Sequence, residues 1–278
     1  MFSPEELKRI LQESDVIKNV SIIKEAKLFE NVYQTVLQGE LIINERESFV
    51  VYIAVPEKWY RNLVDIYVPD YNGLAYMPHI DNKGKLCLFE TEGILIDQNL
   101  PGIMMQSLLR AQTILKQGFS GENKNDFINE FELYWAQLKD CRIAHLAVET
   151  DKKNRNVKGF IKKGPRRKRE KQIEYIKRCK KAPIYIGENV ESLKCWNLKK
   201  TPVMNISYFV IHSEKYIFPP DIRTPLSIDY LNTLLRFVPS GQLVSIMSYF
   251  RQDRIVVFEI HQPSGQIHLV GMYMKGGI

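Results

Sequence analysis

Cys87 lies in the part of the sequence that is best suited to covalent chemistry. Residues 77–89 have the sequence MPHIDNKGKLCLF, in which a polar turn containing Gly84 is followed by a thiol between Leu86 and Leu88. A cysteine on such a segment can be held firmly while its sulfur stays accessible. The thiolate of an accessible cysteine is a strong nucleophile, so the spacing predicts a nucleophilic Cys87.

The residues around this thiol support the same interpretation, although a purely structural role is the alternative. The cations Lys83 and Lys85, together with His79, would favour the thiolate form. A free cysteine is also commonly a small buried hydrophobic residue, and Asp81 can simply stabilise a turn. No two cysteines have the C-x-x-C spacing of a zinc site, so we expect no metal and no cofactor. The remaining cysteines, which have no supporting context, are Cys141, Cys179 and Cys195.

The elements predicted around the cysteine form an α+β layout. A capping box of Ser3 and Glu6 predicts a first helix over residues 4–14. Four β-rich runs joined by short turns predict an antiparallel meander, and two helical patterns follow the irregular stretch 71–99. This order predicts one sheet backed by helices. The predicted strands are 32–38, 40–44, 49–55 and 63–68, and the predicted later helices are 100–119 and 126–146.

The string PHIDNKGKLCLFE resembles the active-site segment of ubiquitin-conjugating enzymes. In that family a turn containing a histidine precedes a Gly-x-hydrophobic-Cys-Leu unit, and helix, four-stranded meander, active-site loop and C-terminal helices follow one another. The resemblance covers residues 1–150. The chain is most similar to the bacterial branch, the conjugating module of anti-phage systems that act on cGAS-like nucleotidyltransferases. In those systems the conjugating domain is commonly fused, through a linker domain, to a ubiquitin-activating-type adenylating domain.

The resemblance implies a covalent role for Cys87 and supporting roles for three loop residues. Cys87 would form the thioester, and His79 would shape the loop. The eukaryotic His-Pro-Asn pattern is replaced here by His79-Ile80-Asp81, so either Asn82 or backbone N–H groups would support the oxyanion. The implied partner is an adenylating protein or domain, and the implied cargo is a cGAS-like nucleotidyltransferase or a ubiquitin-like modifier.

Residues 151–181, called the basic segment below, account for the net positive charge of the chain. They hold fifteen Lys/Arg against three Asp/Glu, a net charge of +12, which leaves −5 for the rest of a chain whose total is +7. The stretch KKGPRRKRE within it has almost no apolar residues and cannot bury enough surface to fold alone. We therefore predict an exposed linker between a conjugating-type domain over 1–150 and a second domain over 182–278.

The C-terminal part, residues 182–278, is predicted to be a small α+β domain. A helix over 227–238 is capped by Ser227, and a turn at 263–265 joins the last two strands. Neither a GxGxxG nor a GxxxxGK loop occurs in the chain, so we do not expect it to adenylate a modifier itself. The position resembles the linker domain of the bacterial fusions. The predicted strands are 183–187, 203–211, 243–250, 254–260 and 266–274.

Three functions are compatible with the sequence. The first is a cysteine-dependent conjugating transferase, the second a conjugating-type fold without activity that serves as an adaptor, and the third a nucleic-acid-binding protein that uses residues 152–181. Few aromatic residues are available there for stacking on bases, so we do not expect nucleic-acid binding. The lack of a long apolar run likewise predicts that no membrane is bound. The N-terminus has no signal-peptide pattern and no apolar run approaches the ~20 residues of a membrane span, so we expect a cytoplasmic protein.

Overall fold

The computed structural model describes residues 2–23, 27–28, 31–89, 99–139, 141–150, 153–196, 203–238 and 254–274. These residues form two compact units, Met1–Asn129 and Glu130–Ile278. The unit division therefore falls earlier in the chain than the predicted domain boundary at residue 150. None of the helices in the described ranges has the length and apolar character to cross a membrane.

The first unit begins with helix α1 (Pro4–Gln12), as the capping box predicts. The Ser3 hydroxyl accepts a hydrogen bond from the Glu6 backbone N–H at 3.2 Å, and the Glu6 carboxylate accepts one from the Ser3 backbone N–H at 2.7 Å. This bond to the Ser3 backbone holds the pKa of Glu6 below its usual value. Leu7 and Leu11 lie on the buried face, so the helix covers one side of the core.

Four antiparallel strands form the sheet of the first unit, in the spatial order β1-β4-β5-β6. Their number and direction agree with the predicted meander. A small two-stranded hairpin, β2 with β3, connects the first two of them. The strands are β1 (Ile17–Ile23), β2 (Lys27–Leu28), β3 (Asn31–Val32), β4 (Thr35–Ile42), β5 (Ser48–Val55) and β6 (Asp65–Tyr67).

The prediction of this sheet was wrong in two respects: it divided one strand into two, and it missed another strand. The runs 32–38 and 40–44 are not separate strands, because β4 continues through Gly39. A Cβ atom at Gly39 would lie 2.5 Å from Cδ1 of Ile17, so the glycine allows β1 to approach closely. Strand β1 itself was not predicted. Its alternation is broken at Asn19, which has a φ of 56° and accompanies an irregularity in the pairing with β4.

Helix α2 (Leu100–Ser120) backs this sheet and confirms the predicted helix over 100–119. The Asn99 side chain caps its start by accepting a hydrogen bond from the Gly102 N–H, and Gly121 ends it with a φ of 75°. A short helix, α3 (Asp126–Asn129), completes the unit. The buried face of α2 comprises Leu100, Ile103, Met104, Ser107, Leu108, Ala111, Ile114 and Leu115.

The second unit contains a six-stranded sheet with the order β12-β11-β10-β8-β9-β7. The pairs β10–β11 and β7–β9 are parallel, whereas the other neighbours are antiparallel. In chain order its elements are α4 (Phe131–Ala136), β7 (Ala144–Ala147), β8 (Arg155–Ile161), α5 (Gln172–Lys180), β9 (Ile184–Gly187), β10 (Met204–His212), α6 (Ile228–Leu235), β11 (Arg254–His261) and β12 (Ile267–Met274).

The single helix predicted over 126–146 is wrong. The structure has α3 and α4 there, followed by β7, and exposed Cys141 lies outside any helix. Residues 144–147 become a strand because they pair with β9, a partner far along the chain. The predicted apolar stripe is nevertheless buried, and it consists of Phe127, Phe131, Tyr134, Trp135 and Leu138.

Two elements of the second unit lie inside the basic segment. Strand β8 is an interior strand of the sheet, with Val157 and Phe160 fully buried, and α5 follows it. The composition of the segment predicted a linker, but two apolar residues suffice for a strand when its neighbours supply the remaining buried surface. Of the other C-terminal predictions, β9, β10, α6 with its Ser227 cap, β11 and β12 are confirmed. The strand predicted over 243–250 lies outside the described residues.

We predict that Gly39→Ala lowers the free energy of unfolding by about 1–3 kcal/mol, because the new methyl group would overlap the side chain of buried Ile17. The matched control is Gly271→Ala in strand β12, where the nearest atom to the new methyl, the Val256 carbonyl oxygen, would be 3.6 Å away. Chemical denaturation of both variants measures the difference. Equal stability of the two variants would show that β1 does not require a glycine beside it.

Candidate active site around Cys87

The cysteine segment runs alongside β6 at the edge of the first sheet. The Leu86 N–H donates to the Ile66 carbonyl and the Val68 N–H donates to the Gly84 carbonyl, each at 2.8 Å. These two backbone hydrogen bonds pair residues 84–86 with the end of β6, immediately before Cys87. The thiol therefore has a fixed position although it lies outside the named strands.

Side-chain alternation along this extended segment directs the sulfur outward. Leu86 and Leu88 are 2% and 7% exposed, and Cys87 between them is exposed. In an extended chain successive side chains point to opposite sides, so burying both leucines requires that the cysteine face solvent. The structure thus gives the accessible thiol on a firmly held backbone that the sequence predicted.

Asp81 organises the turn that precedes the cysteine. Its Oδ1 accepts hydrogen bonds from the backbone N–H groups of Lys83 and Lys85, at 2.8 and 2.9 Å. Its own N–H donates to the Lys85 carbonyl at 2.9 Å, and its carbonyl accepts from the Gly84 N–H at 3.0 Å. A carboxylate engaged in this way stabilises the turn. Turn stabilisation is the structural role that the sequence allowed for Asp81.

Gly84 is required by the close approach of this turn to the end of β6. Its φ is 79°, and a Cβ atom there would lie 2.4 Å from the Val68 carbonyl oxygen and 2.9 Å from Cδ1 of Tyr71. The hydroxyl of Tyr71 donates a hydrogen bond to the Asn82 carbonyl across the same turn. The side chain of Asn82 is exposed and forms no hydrogen bond with another described residue.

His79 joins the cysteine backbone to helix α3. Its carbonyl accepts a hydrogen bond from the Cys87 N–H at 2.8 Å, and its Nε2 lies 2.9 Å from Oδ2 of Asp126. The His79 side chain is only 15% exposed, and its φ is 64°. These contacts are those of a residue that shapes the loop. Asp126 was not predicted, because nothing in the sequence connects residues 47 positions apart.

Lys85 forms an ion pair with Asp65, which the sequence did not predict. Its ammonium lies 2.7 Å from Oδ1 of Asp65, whose other oxygen accepts from the Tyr33 hydroxyl at 2.9 Å. Burial lowers the pKa of Lys85, but the hydrogen bond and charge of Asp65 outweigh it and raise that pKa overall. The cation is thus paired beneath the segment, and it anchors the segment to β6.

Helix α2 contributes a further cation that the sequence did not single out. Nε of Arg110 donates a hydrogen bond to the Leu88 carbonyl at 3.3 Å, one residue beyond Cys87. The guanidinium thus holds the segment on the side opposite to the turn. Within the described ranges, no group of three or more His, Cys, Asp or Glu side chains is placed to hold a metal ion.

Taken together, this geometry provides one accessible nucleophile whose backbone is fixed from three sides. Strand β6 holds the segment laterally, His79 holds the Cys87 N–H, and Arg110 holds the following carbonyl. Such a site can accept an acyl group on sulfur and present it to solvent. Acyl transfer on an exposed sulfur requires no buried pocket, because the reacting groups can approach from solvent.

Comparison with known proteins supports a conjugating type of chemistry. Residues 19–143 match the family described as Prokaryotic E2 family B. This range begins within β1 and includes β2 to β6, α2 and Cys87, but it is less than half of the 278 residues. The chain is therefore similar, over this range, to bacterial E2-like transferases, which interact in general with an activating enzyme or a modifier. No curated protein and no solved structure matches the chain.

We predict that Gly84→Ala destabilises the cysteine segment by about 2 kcal/mol, because its φ is positive and the new Cβ would overlap the Val68 carbonyl. Gly73→Ala is the matched control, since a Cβ atom there would meet nothing within 4 Å. Denaturation gives the stability of each variant, and hydrogen exchange of the Leu86 amide reports the pairing with β6. Slow exchange in Gly84→Ala, equal to that in Gly73→Ala, would contradict this account of the turn.

Proposed function

We propose that the chain is a cysteine-dependent conjugating transferase that carries an acyl group on Cys87. The exposed sulfur between buried Leu86 and Leu88, within the range that matches the E2-like family, is the observation that carries this proposal. An exposed cysteine with its backbone bound on three sides is suited to repeated loading and discharge. Buried structural cysteines need neither feature.

In the loading step, the Cys87 thiolate attacks the carbonyl carbon of a thioester carried by an activating partner. A new carbon–sulfur bond forms to Cys87 and the bond to the partner's sulfur breaks, so the partner leaves as a thiolate. A thioester is already activated, so exchange requires only a soft nucleophile and an open approach. This explains why one cysteine, without a neighbouring triad, is sufficient.

In the discharge step, an acceptor amine attacks the same carbonyl carbon. A carbon–nitrogen bond forms, the bond to Cys87 breaks, and the amine proton passes to a base or to solvent while the cysteine leaves as a thiolate. The negative charge on the carbonyl oxygen needs a hydrogen-bond donor during this step. The Asn82 side-chain amide serves as that donor in our proposal, because it is exposed on the same turn and is not engaged by another described residue.

The partners follow from the chemistry and from the resemblance to the bacterial conjugating modules. A ubiquitin-activating-type adenylating protein, separate or fused, supplies the activated carboxyl group. The cargo is the C-terminus of a cGAS-like nucleotidyltransferase or of a ubiquitin-like modifier, and the setting is anti-phage defence in the cytoplasm. The four cysteines are free thiols, consistent with a reducing compartment.

The adaptor alternative is disfavoured by the position of the sulfur. An inactive conjugating-type fold has no reason to keep Cys87 accessible, and a thiol sealed beneath Leu86 and Phe89 would have indicated such a protein. The structure shows the reverse, since Leu86 is buried and the cysteine is exposed.

We predict that the chain, incubated with the adenylating partner, ATP and cargo, forms an adduct on a non-reducing gel that thiol treatment removes. Cys87→Ala should abolish the adduct, and Cys87→Ser should form an adduct that resists thiols, because the linkage becomes an oxyester. Cys141→Ala is the matched control, since Cys141 is also exposed. An adduct that persists in Cys87→Ala, or none in the wild-type chain, would refute the proposal.

We predict that Asn82→Ala leaves loading unchanged but slows discharge to an amine by about 100-fold, the typical cost of removing one oxyanion donor. Asn72→Ala, which alters another exposed asparagine, is the control and should leave both steps unchanged. Single-turnover discharge of the preloaded chain, with lysine as the acceptor, separates the two steps. Normal discharge by Asn82→Ala would assign the oxyanion to backbone N–H groups instead.

A further inference from the structure

A single acidic residue folds the most cationic part of the basic segment. The Glu170 carboxylate accepts hydrogen bonds from Nε and Nη2 of Arg178 at 2.8 and 2.9 Å, and from the Arg167 backbone N–H at 3.1 Å. Nη2 of Arg178 also donates to the Pro165 carbonyl, and Nε of Arg166 donates to the Glu170 carbonyl, both at 2.9 Å. These contacts fix residues 165–170 against α5.

The ionisation of Glu170 reflects this arrangement. The hydrogen bond from Arg178, followed by that from the Arg167 backbone, lowers the pKa of Glu170 to about 2. The side chain is 9% exposed. The carboxylate is therefore charged at any physiological pH, and it holds the loop and helix together as a defined surface.

Helix α5 carries its two isoleucines on the outer face. Tyr175, Arg178 and Cys179 are half-buried, whereas Ile173 and Ile176 are 68% and 44% exposed. At 100° per residue the two isoleucines lie on the side opposite to the half-buried group. None of the described side chains of α5 is buried, so the outer apolar face is left without a covering element among the described residues.

The helix and the loop before it are rich in exposed cations, and the local acids do not cancel this charge. Glu170 is engaged with Arg178, and the Glu174 carboxylate accepts the Lys171 backbone N–H at 3.1 Å as a helix cap. The other cations of this stretch form no ion pair within the described part of the chain. They are Lys162, Lys163, Arg166, Arg167, Lys168, Arg169, Lys171, Lys177 and Lys181.

We propose that this surface, Ile173 and Ile176 together with the exposed cations named above, is a docking site for a protein that presents an apolar patch beside acidic residues. An apolar centre within a charged rim is the usual anatomy of a protein–protein contact. The excess positive charge selects an acidic partner and accelerates encounter with it. The site lies in the second unit and does not use Cys87, so it goes beyond the transfer reaction.

A nucleic acid fits this surface less well. The one aromatic residue of the stretch 162–181, Tyr175, is half-buried and lies against the Arg178 guanidinium, 5.3 Å from ring centroid to Cζ. Bases would therefore find no open ring for stacking. Phosphates would satisfy the cations but would leave Ile173 and Ile176 exposed. A protein partner with acidic and apolar side chains accounts for both the charge and the isoleucines, whereas a nucleic acid accounts for the charge alone.

Binding to defined probes tests this inference on the full chain. The probes are two synthetic peptides of equal length and charge, one with leucines among glutamates and one with serines in the leucine positions, together with a DNA duplex and phosphatidylserine vesicles. We expect the leucine peptide to bind about tenfold or more tightly than the serine peptide, because it also buries apolar surface. It should also bind more tightly than the DNA or the vesicles at matched salt.

Variants separate the apolar contribution to peptide binding from the contribution of the charges. Ile173→Gln with Ile176→Gln keeps helix propensity and should abolish the preference for the leucine peptide. Lys168→Glu with Arg169→Glu should weaken both peptides and reduce their salt dependence. The controls are Ile143→Gln with Ile228→Gln, two exposed isoleucines elsewhere, and Lys58→Glu with Lys116→Glu, which make the same charge change outside the segment.

Circular dichroism confirms that each variant is folded, and a Cys87→Ala chain should bind as the wild type does, so this test is independent of the transfer reaction. Equal affinity for the two peptides would overturn the proposal. So would preferential binding to the DNA or the vesicles, or an unchanged peptide preference in the isoleucine variants.

Discussion

The pairing of the cysteine segment with β6 is the constraint on which the candidate site depends. Two backbone hydrogen bonds, from Leu86 to Ile66 and from Val68 to Gly84, make the segment extended. Once it is extended, side-chain alternation leaves one choice: if the leucines enter the core, the sulfur of Cys87 must face solvent. The free energy of burying Leu86 and Leu88 thereby fixes the exposure of a residue that contributes little to stability itself.

In the proposed transfer the sulfur of Cys87 carries out the chemistry, and the residues around it contribute geometry. Asp81 caps the turn, Lys85 is paired with Asp65, and His79 is held by Asp126, so these three side chains each have a structural partner. A transfer between thioesters needs no strong general base close to the sulfur. A site of this kind therefore differs from an ordinary turn chiefly in the backbone hydrogen bonds that present the cysteine to solvent.

Local signals in the sequence predicted much of this arrangement, and long-range pairs account for most of what it missed. The Ser3–Glu6 capping box gave α1, and the order of residues around Gly84 gave the cysteine turn, because both depend on neighbours a few positions apart. The partners of Lys85 and His79 lie far away in the chain, so no spacing could reveal them. Strand β1 was missed because Asn19 interrupts its alternation, and β7 because its pairing with β9 overrides a helical pattern.

Composition alone was a poor guide to the basic segment, because charge determines exposure but not order. The excess of cations correctly places most of the side chains of 162–181 in solvent, yet one carboxylate, that of Glu170, is enough to fold the loop onto α5 through Arg178. A surface ordered before it meets a partner loses less conformational entropy on binding than a mobile tail of the same charge. The folded loop and helix that Glu170 holds together would thus favour binding through the two exposed isoleucines, since apolar contacts need a defined position far more than charges do.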